Sequence, residues 1–104
     1  MSEVTTALEG YALDDVRGVG VGRIESHVRG EHEGGWLLAR MGRFGHHTAV
    51  PARDAVEGID RVWVPYSRDL IRHAPKVDAF ETLDPAMERE LLAHYGLVAR
   101  SRRP

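Results

Sequence analysis

The sequence contains no cysteine. It therefore has no disulfide framework, no thiolate zinc site and no cysteine nucleophile, and this fits a reducing cytoplasm, the compartment expected for the chain. A surplus of positive charge is also missing. Fourteen Lys and Arg against 16 Asp and Glu give a formal charge of −2, which predicts no general attraction to nucleic acid or to an anionic membrane. No apolar run approaches the roughly 20 residues that cross a bilayer. Met1–Gly10 has no basic start followed by an apolar core, so neither a signal peptide nor membrane insertion is expected. There is no His-x-x-x-His pair on a predicted helix and no Gly-x-Ser-x-Gly elbow, which removes the usual zinc-hydrolase and serine-hydrolase signatures.

What remains is an ordinary globular balance, 42% apolar and 29% charged over 104 residues, which suits one small soluble domain. Eleven glycines favour many tight turns over long helices. The expected organisation is a flexible N-terminus over 1–9, one domain over 10–97 and a disordered basic tail over 98–104 that carries Arg100, Arg102 and Arg103. Leu8–Leu13 reads as a short strand or turn, and Asp14-Asp15 as a turn exposed to solvent.

The Gly18-Val-Gly-Val-Gly22 run looks at first like a dinucleotide loop. Such a loop needs a helix N-terminus after its glycines, but here the following residues alternate as a strand, with Ile24, Ser26 and Val28 on one face. Trp36–Met41 is apolar on nearly both sides and predicts a central strand. Gly42–Gly45 predicts a four-residue hairpin loop, and Pro51 ends the return strand or places it on an edge. Another strand is expected between Ile59 and Pro65. Ser67 then caps a short helix over about 67–73, stopped by Pro75. Asp84-Pro85 starts a final helix over 85–95 with Met87, Leu91, Leu92 and Tyr95 on one stripe, and Gly96-Leu97 gives it a Schellman ending. Strands over about 19–66 followed by helix argue for a mainly β fold, a small antiparallel sheet or barrel with a C-terminal helical cover.

The candidate chemistry is sparse. His46 and His47 are adjacent, so on a strand they point to opposite faces and cannot share an ion unaided; His27 and His32 straddle a turn and could join one of them. Surface or capping roles are expected for these histidines, with no metal and no cofactor. Ser67 is occupied as a cap, and no catalytic residue is assigned. Trp36 and Trp63 are expected in the core. Phe44 lies at the hairpin tip between Arg43 and His46, and an aromatic beside cationic groups suits a docking surface, so Arg43, Phe44, His46 and His47 are the candidate partner-binding residues. Arg40, Arg43, His46, His47 and the arginine tail could also be argued toward RNA. The net charge and the lack of a stacking motif make that the minor reading.

Several short segments, in order, resemble the PRC-barrel family, the small β-barrel shared by the photosynthetic reaction-centre H subunit and a ribosome-maturation factor. They are Gly22-Arg-Ile24, Gly42-Arg-Phe-Gly45 leading to Ala49-Val-Pro51, Val64-Pro-Tyr66, Ile71-Arg-His-Ala-Pro75 and His94-Tyr-Gly-Leu97. Together they run over about residues 10 to 97, and the ending is similar to stand-alone bacterial members. The resemblance implies a small antiparallel β-barrel and a non-enzymatic adaptor or assembly module, homodimeric and with a protein partner. The alternative it implies is a ribosome- or RNA-associated accessory.

Overall fold

A computed structural model of the chain describes residues 8–42, 45–77 and 83–97. Six strands and two helices follow one another: β1 (Ala12–Asp14), β2 (Gly20–Val28), β3 (Trp36–Met41), β4 (His47–Pro51), β5 (Val56–Glu57), β6 (Arg61–Trp63), α1 (Arg68–Arg72) and α2 (Pro85–His94). The strands form one sheet in the order β4-β3-β2-β1-β6-β5. The mainly β fold with a C-terminal helix is therefore present. The expectation of an antiparallel sheet needs correction, because β1 and β6 run parallel, Ala12 to Arg61 and Asp14 to Trp63. The sheet is mixed, and its outer strands β4 and β5 do not pair to close it into a barrel. The tight β5–β6 hairpin returns β6 alongside β1 in the same direction, a pairing that three-residue strands cannot announce in sequence.

The strand β2 runs straight on from Gly20 and Gly22 with no helix after them, so the glycines serve a strand entry. Its expected single face, however, is split. A register shift lies between Ile24 and Ser26, so that Ile24 pairs with Ala39 but Val28 pairs with Trp36. Those partners are three residues apart on β3 and so face opposite ways. Both faces of β3 are then covered, and Trp36, Leu37, Leu38, Ala39 and Met41 are all buried. Each buried Leu, Ile or Val contributes on the order of 1.5–3 kcal/mol. β4 is an edge strand, as Pro51 requires, and ends at that residue.

The expected Ile59–Pro65 strand shortens to Arg61–Trp63 because Ile59 and Asp60 form the hairpin turn. Asp60 adopts φ 53 there, a conformation Asp tolerates better than most side chains. Ser67 caps α1 by accepting the Leu70 N–H at 3.1 Å. Asp84 precedes α2 without a side-chain cap bond, so Pro85 at the first helical position sets that start. The far end of α2 is the expected Schellman turn: Gly96 has φ 73 and the Leu97 N–H reaches the Leu92 carbonyl at 2.8 Å. Among the described residues, no helix is long and apolar enough to cross a membrane.

Candidate functional site

The most tightly organised polar group in the molecule is Glu88. It sits on the inward stripe of α2 with Leu91, Leu92 and Tyr95, at the i, i+3, i+4 and i+7 positions that face the sheet. Only 3% of it is exposed. Its Oε2 accepts the Trp36 indole N–H and the His32 amide, each at 2.8 Å, and its Oε1 accepts the Glu31 amide at 3.0 Å. Burial alone pushes this carboxyl up. The indole and the two amides outweigh that, and the net effect holds it below the ordinary carboxylate value. Gly30 makes room for the carboxylate, since a Cβ there would collide with it. This is a structural clamp: it ties α2 to the β2–β3 turn and gives the buried indole its acceptor.

Tyr95 continues the clamp. Its hydroxyl donates to the Ala49 carbonyl at 3.1 Å, its ring lies 4.9 Å from that of Tyr66, and burial pushes its pKa up. His94 Nε2 donates to the Leu70 carbonyl, which joins α2 to α1.

At the other end of the sheet, Asp14 and Asp15 are buried and not the solvent-facing turn residues expected. Asp14 Oδ2 accepts from Arg61 at 2.8 Å, while Asp15 Oδ1 accepts the amides of Arg17 and Val19 and so builds the β1–β2 loop. Their burial follows from strand pairing on both sides of β1, which a three-residue strand does not advertise.

Of the four candidate partner-binding residues, Arg43 and Phe44 lie outside the described residues. His46 is half-buried near Arg72 and Lys76. Desolvation, then the charges of Lys76 and His47, hold its pKa below the ordinary histidine value. His47 opens β4 and its Nε2 donates to Glu25 at 2.9 Å. His27 and His32 do not join them: His27 Nε2 donates to the Gly34 carbonyl, and His32 packs on Trp36 at 5.6 Å between ring centroids. Among the described residues, no three His, Asp, Glu or Cys side chains converge in a way that would hold a metal ion.

Among the described residues, four large apolar side chains stand exposed, two of them in the β5–β6 hairpin. Val16, Val19 and Val56 are about half exposed and Ile59 is 90% exposed. Val56 is the register partner of Trp63, whose indole donates to the Val16 carbonyl at 3.2 Å, so Val16, Trp63 and Val56 are contiguous. Ile59 itself projects from the hairpin turn and does not continue the expected strand; Gly58 and Asp60 beside it were the available turn signal. In comparisons with known proteins, no family model matches this chain and no curated protein matches it.

Proposed function

We propose that this chain is a non-enzymatic contact module of the PRC-barrel kind that acts in the cytoplasm through protein–protein association and pairs with a second copy of itself. The observation that carries this reading is the β5 edge, which no described strand pairs on its outer side: Val56 stands exposed there in register with Trp63, and Ile59 projects from the hairpin turn. Exposed apolar side chains along a strand edge are what a partner would cover. The residues best organised for chemistry, Glu88 and Asp15, are engaged in holding loops and a helix.

Sedimentation velocity over a concentration series tests the proposal. The chain is expected to run as a dimer that buries more than about 1,000 Å², and Ile59→Asp is expected to shift it to monomer by placing a charge in the contact. A wild-type chain that stays monomeric at every concentration overturns self-association.

A further inference from the structure

The face of β3 that α2 covers at Trp36 is bare at Arg40, four residues along and therefore on the same side. In that bare region Ala12, Arg23, Arg40 and His47 stand in direct register on β1, β2, β3 and β4. Residues in direct register share a face and are spaced by one strand separation, about 4.8 Å. Arg23 and Arg40 line an open groove of about 1050 Å³, with Arg68 from the start of α1 on its rim and Gly10, Gly20 and Gly42 leaving its walls low.

Like charges placed directly opposite destabilise an antiparallel pair. Yet a chain of net charge −2 sets two guanidinium groups in that position with a histidine next in the row. Two carboxylates reach the groove. Glu25 is engaged by His47 Nε2 at 2.9 Å, and Glu9 also lines the groove, so three arginines face two carboxylates there. Arg23 is steadied by donating to the Gly10 carbonyl at 2.8 Å, and among the described residues neither Arg40 nor Arg68 forms an ion pair.

We propose that this groove binds an extended acidic segment of a partner protein, with its carboxylates on Arg40, Arg68 and the outward nitrogens of Arg23. Guanidinium groups match carboxylates in a two-point geometry. Carboxylates on alternate residues of an extended chain recur about every 6.6–6.8 Å, within reach of arginines mounted one strand apart. The groove is open and at the upper end of the roughly 300–1,000 Å³ typical of small-molecule pockets, which favours a segment of chain over a small anion. Its described lining holds no aromatic side chain on which a base could stack, which disfavours single-stranded RNA. None of Val16, Val56 and Ile59 lines the groove, so this inference goes beyond the self-association reading and does not depend on it.

The test is fluorescence anisotropy of the full chain with a short labelled peptide of alternating Glu and Thr, its Gln-for-Glu twin, and a short oligouridine RNA. The Glu peptide is expected to bind saturably and to weaken as salt rises from about 0.05 M to about 0.5 M, and the Gln twin is expected not to bind. Arg40→Gln and Arg68→Gln should each weaken binding about tenfold, the size of one charge-assisted contact. Arg68 is exposed, so Arg68→Gln keeps the test decisive even where a change at Arg40 disturbs the sheet. Equal binding of the Glu and Gln peptides, no binding of either, or tighter binding of oligouridine overturns the proposal. In Ile59→Ser, which changes the same turn without adding charge, the peptide titration should be unchanged whatever happens to self-association, so failure of one reading is separable from failure of the other.

Discussion

The two edges of this sheet are finished in opposite ways. At β4, the chain itself returns to seal the edge. Thr48 and Lys76 form a bridge, the Val77 N–H reaches the His47 carbonyl at 3.0 Å, and the Thr48 hydroxyl donates to the Pro75 carbonyl at 2.9 Å. Thr48, Ala49 and Val50 are completely buried there. At β5, two exposed residues end the sheet and an apolar turn projects beyond them. Proteins blunt free edges because unpaired strands recruit other chains. A fold that seals one edge with three contacts and leaves apolar groups exposed near the other has a structural side and an exposed apolar side, the second being the one that the proposed pairing would use. Glu88, Trp36 and Tyr95 belong to the first; Val16, Val56 and Ile59 belong to the second.

That division can be broken most severely at Glu88. Glu88→Ala leaves the Trp36 indole and two amides without their acceptor, so a loss of about 3 kcal/mol is expected, and the melting temperature should fall by about 10 °C or more. An unchanged melting curve would remove α2 from the structural side.

Acid should act on the same side. The folded-state pKa of Glu88 lies below its ordinary 4.5, so its contribution is complete above that value and is lost as pH falls through the lower folded-state value. His46, also lowered, begins to oppose folding as pH drops below its ordinary 6.5, because the folded chain favours its neutral form. Thermal melts of the wild type should therefore decline in two stages on acidification. In Glu88→Gln the more acidic stage should be missing, and its persistence would reassign it.

A smaller effect is expected at the sealed edge. Thr48→Val keeps the shape and removes one hydrogen bond to Pro75, so chemical denaturation should show a loss of about 1 kcal/mol. It leaves the Pro75 carbonyl unsatisfied in a partly buried position, and a neutral result would mean that water replaces the hydroxyl. The smallest change is expected at the open edge. Ile59→Asp, the variant designed to prevent pairing, should move the monomer's stability by no more than about 0.5 kcal/mol. A large loss there would make Ile59 part of the structural side after all.

Much of the sealed side was legible. The Trp36–Met41 run announced a strand buried on both faces, Pro51 an edge, Ser67 a cap and Gly96-Leu97 a Schellman ending, because each depends on local spacing or on one residue's backbone chemistry. Glu88 escaped notice for a physical reason. A carboxylate on an apolar stripe reads as a solvent residue unless its donors are known, and its donors lie 52 to 57 positions away. The 88-91-92-95 spacing and an indole in need of an acceptor were the only local hints. The parallel β1–β6 pair escaped for a similar reason, since three-residue strands carry too short a period to declare a partner. The arginine row was invisible because cross-strand register appears only once the hairpin geometry is fixed; the sequence puts Arg40 and His47 in one basic group, but nothing in it sets Arg23 opposite Arg40.

The pairing of β1 with β6 also governs when the fold can form. Asp14 meets Arg61 across 47 residues, and Trp36 meets Glu88 across 52. During synthesis the first strand waits without its neighbour until the second half of the chain has left the ribosome, while the apolar faces of β2 and β3 lack their helical lid. Contacts of such long range slow folding, because the loop between them must close before they form. The buried indole of Trp36 thus has no acceptor until α2 has been made, and the β2–β3 turn is tied down only when Glu88 arrives.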